Sequence, residues 1–347
     1  MKQLITGIQQ VGIGVVNSHE AKYYYKDIFG MDVLIFDDTA SAELMTQYTG
    51  NEVHQRHAIL TMNLCGGGGF ELWQFISRHP QNYNAEFGDI GIFSIKIKCR
   101  NVYNAHLHFK KKSRIIVSEL MVSPNGRSHF WIKDLYGNFY NIAEANHWFK
   151  KNSSVNGGVY GATIGVSNMK ASLDFYKNLL GINDVVYDIT STFADAPHNS
   201  GEVFRRVLIR KNKSICGAFT NLLGDVEVEL IQNIKRDSKQ IFAGRYWGDC
   251  GFIHLCFDVT DMNALKNLSE NLGYKFTVDS KDSYAMDTAE GRFCYVEDPD
   301  GTLIELVETH KIPIVKKWNW HIDLKKRKGQ KPLPGLMINM LALNKVK

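Results

Sequence analysis

The sequence has none of the features that mark membrane-spanning, secreted or nucleic-acid-binding proteins. No run of about 18 apolar residues occurs, and the N-terminus lacks the sustained apolar core and small-residue cleavage site of a signal peptide. The formal net charge is only +5 over 347 residues, and basic residues are dispersed except near the C-terminus. We therefore expect a cytoplasmic protein that binds a small molecule and neither nucleic acid nor membrane.

Two further absences concern cysteine and phosphate-binding motifs. The six cysteines form no CxxC pair, and several lie in apolar runs such as FIHLCFDV, so we expect reduced residues of the core. The run GGGG, residues 66–69, is not followed by the Lys-Ser/Thr of a phosphate-binding loop or by a helical pattern. It predicts a hairpin turn.

The sequence does contain internal repeats. IGVVNSHEAKYYYKDIFGM, from Ile13, aligns without a gap with IGVSNMKASLDFYKNLLGI, from Ile164. FWIKDLYGNFYNIAE, from Phe130, aligns in the same way with CYVEDPDGTLIELVE, from Cys294. Each half divides again into an alternating strand, an amphipathic helix and further strands. The sequence therefore predicts four units of the form βαβββ.

These repeated motifs, with starts of the form VGIGV, helices that end in YKDIFG or FYKNLLG and a final DPDGTLIEL, resemble the vicinal oxygen chelate superfamily. That group includes glyoxalases, epimerases, bleomycin resistance proteins and extradiol dioxygenases. The resemblance implies an α+β fold in which four βαβββ modules pair into two half-open mixed β-barrel domains. We expect the domains at residues 1–148 and 157–310, followed by an extension at 311–347.

In that superfamily the first and last strands of each unit supply the ligands of a divalent metal, and the second half offers three. The resemblance assigns Glu305, His254 and Glu229 to these positions. Glu227 lies on the same strand face as Glu229, so a solvent-facing strand is an open alternative. The fourth position falls on Gly161, where water or substrate would sit. Three ligands and one open position are typical of a catalytic metal, and the oxygen-rich set favours Fe, Mn, Zn, Ni or Co.

The first half offers a poorer set. The corresponding positions are Gln10, Glu71, Ser94 and Asn141, and only one of them is anionic. We expect this half to be structural or a degenerate binding cup.

Two other side chains are candidates for chemistry. Tyr295 lies ten residues before Glu305, and extradiol dioxygenases carry a tyrosine at this spacing that contacts the bound catecholate. A core aromatic residue is the alternative, because Trp131 takes the matching position in the first half. His198 lies in a polar loop and is either an acid or base near the cup or an exposed loop residue.

Residues 311–347 fall outside the repeat and combine basic and aromatic side chains. We expect Trp318 and Trp320 to pack this tail over a domain surface or a homodimer partner. Contact with a membrane surface or a nucleic acid is the alternative.

The resemblance suggests three functions. The first is glyoxalase-like or epimerase-like lyase or isomerase chemistry, in which one divalent metal polarises an oxygen chelate and either Glu229 or Glu305 leaves the metal to move a proton. The second is an extradiol dioxygenase, although Gly161 replaces the first histidine of its two-histidine, one-carboxylate set. The third is a resistance-type protein that sequesters a ligand without turnover. Its walls would be aromatic: Phe70, Trp73, Phe75 and Tyr295.

Overall fold

Four units of one design follow one another along the chain in the computed structural model, which describes residues 4–198, 201–211, 217–281, 284–287, 289–315, 318, 320–327 and 331–346. The first unit consists of β1 (Ile5–Gly14), α1 (Ser18–Phe29), β2 (Val33–Ser41), β3 (Gln55–Met62) and β4 (Gly69–Phe75). The second consists of β5 (Gly91–Cys99), α2 (Val102–Lys110), β6 (Ile116–Val117), β7 (Met121–Val122), β8 (Ser128–Lys133) and β9 (Phe139–Glu144).

The third and fourth units repeat the same order. The third consists of β10 (Asn156–Gly165), α3 (Met169–Asn178), β11 (Asp184–Ser191), β12 (Phe204–Arg210), α4 (Thr220–Leu223) and β13 (Glu227–Asn233). The fourth consists of β14 (Gly251–Val259), α5 (Met262–Asn271), β15 (Phe276–Asp279), β16 (Tyr284–Met286), β17 (Ala289–Glu297) and β18 (Leu303–Val315).

The main helices begin and end where the sequence predicts. An Asn or Asp side chain caps each N-terminus by accepting from a backbone N–H three residues on, as Asn17 does from Glu20 and Asp261 from Ala264. Gly30 ends α1 with a φ of 66°, in the left-handed region that glycine adopts without strain.

The strands form two sheets, and each sheet combines units from opposite halves of the sequence. Sheet A has the order β15-β17-β18-β14-β1-β4-β3-β2, and sheet B has the order β11-β12-β13-β10-β5-β9-β8-β6. Unit 1 therefore pairs with unit 4 through the antiparallel strands β1 and β14, and unit 2 pairs with unit 3 through β5 and β10. The expected α+β class, with four modules in two half-barrels, is confirmed. The expected strand pairing within residues 1–148 and within 157–310 is corrected.

The physical reason for this correction is visible at the β1–β14 seam. Any two first strands of this repeat have the alternation needed to pair, so the repeat alone does not choose partners. Gly12 lies opposite His254, and a Cβ on Gly12 would lie 2.3 Å from the imidazole. The absence of a side chain at Gly12 makes room for the His254 ring.

The main core lies between the helices and the outer faces of both sheets. Its buried apolar side chains come from all four units, with Val11, Ile95, Ile164 and Leu255 as fully buried members on the four first strands. The GGGG run leads from β3 into β4, which pair as an antiparallel hairpin. This confirms the predicted turn.

The C-terminal extension folds against sheet A. β19 (Trp320–Asp323) pairs with β18, and α6 (Gly335–Met340) continues into a 3₁₀ helix, Leu341–Leu343. Leu333, Ile338 and Leu341 bury their side chains in one cluster with strand and loop residues of the domain. Trp318 and Trp320 remain 69% and 41% exposed, so aliphatic side chains rather than these tryptophans pack the tail onto its own chain, and packing of the tryptophans on a homodimer partner stays a prediction.

Two observations on the described residues concern membrane-spanning helices and cysteine. Among them, no helix has the length and apolar character needed to cross a membrane. The free cysteines are all buried, as expected of core residues: Cys65, Cys99, Cys250, Cys256 and Cys294. Cys216 lies outside the described residues.

Candidate metal centre

Four polar side chains converge inside the concave face of sheet A. They come from its four adjacent central strands: Gln10 from β1, Glu71 from β4, His254 from β14 and Glu305 from β18. All four are at most 6% exposed. The pairing of units 1 and 4 thus combines two residues expected in a degenerate first-half cup with two expected in a second-half metal site.

The donor atoms face one another across short distances. His254 Nε2 lies 3.1 Å from Glu305 Oε2 and 3.2 Å from Glu71 Oε2. The Gln10 amide donates to Glu71 Oε2 at 2.8 Å and to Glu305 Oε2 at 3.3 Å. One ligand atom from each of Glu71, His254 and Glu305 lies within 4.8 Å of the others.

Two of these atoms lack the partners that buried polar atoms normally have. Gln10 Oε1 is buried without a hydrogen bond. His254 Nε2 lies at ion-pair distance from the carboxylates of Glu71 and Glu305 but is not aligned for a hydrogen bond with either. Buried polar atoms without partners are costly. An amide oxygen, an imidazole nitrogen and two carboxylates are donors that a divalent transition metal accepts, so this set fits such an ion.

The charges of the centre point to the same conclusion. Burial by itself lowers the pKa of His254, but Glu305 and Glu71 outweigh burial and raise it to about 9. For Glu305, burial raises the pKa, but the imidazole of His254 outweighs it and the net shift is downward. Two buried carboxylates therefore require a positive charge between them, from an imidazolium or from a metal ion.

Tyr295 positions the imidazole from its other side. Its hydroxyl lies 3.2 Å from His254 Nδ1, and β17 places Tyr295 directly beside Glu305. Burial, followed by the charges of Glu305 and Glu71, raises the pKa of Tyr295 well above its ordinary value, so the phenol stays neutral. Trp247 stacks on the His254 ring, with the two ring centroids 6.3 Å apart. Tyr295 is thus a buried aromatic residue that also contacts the candidate ligand.

The centre opens into a cavity of about 570 Å³ whose described walls are mainly apolar. Of the four aromatic walls predicted from sequence, Trp73 and Tyr295 line this cavity. Phe70 instead packs against Tyr25 in the main core. The volume suits a drug-sized ligand.

Glu229 does not join His254 and Glu305, which corrects the predicted ligand set. It lies on β13 in sheet B and forms ion pairs with Lys96 at 2.9 Å and with Arg206 at 2.7 Å. Burial raises the pKa of Glu229, but these two cations outweigh burial and hold it well below the ordinary value. Glu229 lies on the last strand of its unit, as predicted, but that strand, β13, belongs to sheet B and not to sheet A.

The concave face of sheet B is filled by side chains. Asn141 hydrogen-bonds His129 at 2.7 Å, and the Ser94 hydroxyl is buried without a hydrogen bond. A Cβ on Gly161 would lie 3.1 Å from the Lys96 Cδ atom, so the lysine stem occupies the place expected for water or substrate. The cavity there measures about 10 Å³. The ammonium of Lys96 neutralises the Glu229 carboxylate inside the concave face of sheet B.

His198 also lies on the sheet B side. Its ring packs against Phe87 and Phe204, and its Nε2 lies 2.6 Å from the Phe193 carbonyl oxygen. These contacts hold the ring in the aromatic cluster of sheet B, away from His254.

A second group of ligand-type side chains was not predicted from sequence. His57 on β3 contacts Asp37 on β2 at 2.7 Å and Ser18 on α1 at 2.6 Å, and His19 stacks on its ring. Lys22 also contacts Asp37, at 3.4 Å. Asp37 already has two partners, so the group is satisfied as a hydrogen-bonded link between α1 and its sheet. Only the fold brings these distant positions together.

Comparisons with known proteins agree with this architecture. Residues 162–295 match the model of the Glyoxalase/Bleomycin resistance protein/Dioxygenase superfamily. The chain is similar in structure to a provisionally named dioxygenase from Bacillus subtilis, with a TM-score of 0.55, 14% identity, and 88% of this chain and 86% of that chain covered. It is also similar to glyoxalase I from Zea mays, with a TM-score of 0.52, 14% identity, and 87% and 92% covered. The search of curated proteins gave no match. At this identity the structural similarities show a shared fold.

Proposed function

We propose that this chain is a divalent-metal-dependent lyase or isomerase, on the basis of the match of residues 162–295 to the Glyoxalase/Bleomycin resistance protein/Dioxygenase superfamily and of the fold that the whole chain shares with the two solved structures. Its substrate is a small molecule that offers two neighbouring oxygens. The observation that carries this proposal is the convergence of Gln10, Glu71, His254 and Glu305 at one end of an apolar cavity.

These four side chains would hold the ion. When bound, a divalent metal supplies Lewis-acid polarisation of a substrate carbonyl. His254 would contribute its Nε2 atom and the two glutamates one oxygen each. Gln10 would contribute its unpartnered amide oxygen after a turn of the amide group, whose nitrogen otherwise donates to both glutamates. Tyr295 keeps the imidazole in place, as second-shell partners of metal-binding histidines do.

Glu305 is assigned as the base that moves the proton. Its carboxylate lines the cavity, and the apolar walls exclude the water that would otherwise solvate it. In the proposed reaction, Glu305 takes a proton from the carbon that bears the hydroxyl and returns it to the carbonyl carbon, while the hydroxyl proton passes to the carbonyl oxygen, so that the carbonyl group moves by one carbon. No external oxidant is needed, because the substrate and product have the same composition.

The donor types favour this chemistry over oxygen activation. The extradiol arrangement requires two histidines and one carboxylate, whereas this centre combines one histidine with two carboxylates. Among the described residues, His254 is the one histidine of this ligand group, and the cavity lining adds no other. Dioxygenase activity is therefore the weaker alternative. The third hypothesis, sequestration without turnover, predicts that the bound ligand is released chemically unchanged.

The test is a comparison of three readouts on one metal-loaded preparation. In D2O, proton transfer predicts that α-hydroxy ketone probes exchange their carbon-bound hydrogen, as followed by NMR, and that Glu305→Gln protein loses the exchange. Oxygen uptake with catechol probes and no exchange would replace the proposal with the dioxygenase. Ligand binding with neither exchange nor oxygen uptake would identify a sequestering protein. Glu229→Gln protein is the control and should retain exchange.

A further inference from the structure

We infer that the substrate has an extended apolar body attached to its metal-chelating head, and that the C-terminal extension builds the pocket for this body. This inference deepens the proposed function and rests on the metal centre in sheet A. It concerns the class of molecule that the site selects.

The cavity connects two distinct apolar clusters. The cluster beside the metal centre contains Trp247 and Tyr295, which contact the His254 ring, and Trp73, which packs against Trp247. The second cluster contains Met62, Leu222, Leu223, Ile312 and Leu341, and these side chains also line the cavity. A ligand held by its head at the centre would thus extend a second part toward the other cluster.

Strand β18 shows how far the pocket extends. Glu305, Val307, Thr309 and Ile312 line the cavity in order along this strand. Glu305 and Ile312 are seven residues apart, which corresponds to roughly 20 Å at about 3.3 Å per strand residue. A head group of a few atoms would leave most of this length unfilled.

The far end of the pocket is made by segments outside the repeated module. Leu341 comes from the 3₁₀ helix at the end of the extension and is 4% exposed. Leu222 and Leu223 come from α4, the insertion between β12 and β13. The extension and α4 therefore determine which apolar body fits.

The charges along the walls exclude a polyanionic body. Arg56 is the one cationic side chain among the described lining residues, and its guanidinium is already paired with Asp38 at 2.6 Å. Glu43 adds negative charge to the lining, and Glu290 in the same lining is paired with Lys311 at 2.8 Å. A conjugate rich in carboxylates or phosphates would find no unpaired cation there, whereas a neutral apolar chain or ring loses nothing.

A series of alkyl hydroxamates tests the inference, because every member presents the same two-oxygen chelating head. Binding is measured by calorimetry and by the visible spectrum of cobalt-loaded protein, from acetohydroxamate to decanohydroxamate. Each added CH2 should tighten binding by about fourfold until the pocket is full, on the basis of roughly 0.8 kcal/mol per buried CH2.

Leu341→Trp and Leu343→Trp make a matched pair of variants in the same 3₁₀ helix. Leu341 is buried against the cavity, whereas Leu343 is 61% exposed. Leu341→Trp should leave acetohydroxamate binding unchanged and weaken the longest hydroxamates by tenfold or more. Leu343→Trp should match the wild type. If Leu341→Trp protein does not fold, the wild-type chain-length series decides alone.

The outcomes separate this inference from the proposed function. If acetohydroxamate binds the cobalt-loaded protein but longer chains bind no tighter, the apolar body is refuted and the metal chelate site stands. If long hydroxamates bind equally well to metal-free protein, the proposed function is refuted, because the pocket is then independent of a metal. If no hydroxamate binds cobalt-loaded protein, both are refuted.

Discussion

Glu229→Gln should destabilise the protein strongly while leaving its metal content unchanged. In sheet B the Glu229 carboxylate neutralises Lys96 and shares Arg206 with Asp195, which lies 2.7 Å from the guanidinium. The substitution keeps the size of the side chain and removes its charge. Arg206 retains Asp195, but the ammonium of Lys96, which is almost fully buried, loses its ion-pair partner.

The size of the effect follows from the loss of one partner of a buried ion pair, which costs about 3–5 kcal/mol. We therefore expect the free energy of unfolding to fall by about 3–5 kcal/mol at pH 7.

Urea denaturation at pH 7, followed by circular dichroism, measures this loss. The control is Asp174→Asn, which removes a solvent-exposed pair with Lys170 and should cost less than about 0.5 kcal/mol. A loss below about 1 kcal/mol for Glu229→Gln would refute the stabilising role of the buried ion pair with Lys96.

Three further predictions concern sheet A. Burial raises the pKa of Asp258 to about 7 from an ordinary 3.8, so the folded protein binds this proton more tightly. The bound proton contributes its full stabilisation below about pH 4, and at most about 4 kcal/mol of the free energy of unfolding is lost as pH rises to about 7. Asp258→Asn should remove this pH dependence from the free energy of unfolding measured in urea. An unchanged pH dependence would contradict the assignment. Tyr295→Phe should weaken metal binding by about 10-fold to 100-fold in competition titrations with a chromogenic chelator. Tyr160→Phe, which removes a buried hydroxyl without a hydrogen bond, should leave that affinity unchanged, and equal effects of the two variants would indicate general loosening. Glu71→Gln should abolish metal-dependent hydrogen exchange with α-hydroxy ketones in D2O, and retained exchange would remove Glu71 from the site.

The repeated motifs were sufficient to predict the four units because they encode packing within each half. Tyr25 in α1 hydrogen-bonds Asp134 at 2.7 Å, and its repeat counterpart Tyr176 hydrogen-bonds Asp298 at 3.0 Å. Each aspartate also accepts from the backbone of its own turn, as Asp298 does from Thr302. The DPDG turn before β18 thus joins the third and fourth units through the hydrogen bond from Tyr176 to Asp298.

Strand pairing could not be predicted from the same motifs. The first strands have similar alternation, and hydrogen bonds between main chains do not depend on which copy is the partner. Gly12 carried a usable signal, because a glycine inside a strand often marks close approach of a neighbour. That neighbour, the imidazole of His254, is more than 200 residues away in the chain.

The site positions were predicted individually, but their grouping was not. Gln10, Glu71, His254 and Glu305 were all named from the first and last strands of their units, and the fold unites them in one centre. Glu229 was grouped with His254 because both lie in the second half of the sequence. Its true partners are cations on β5 and β12, which no spacing rule identifies.

The most direct test of the account is elemental analysis by mass spectrometry of protein purified without chelators or metal-affinity steps. We predict about one divalent transition metal per chain in the wild type and in Glu229→Gln protein, and none in folded Glu71→Ala or Glu305→Ala protein. Metal that persists in both alanine variants, or that disappears with Glu229→Gln, would contradict a centre built from the first and last units of the chain.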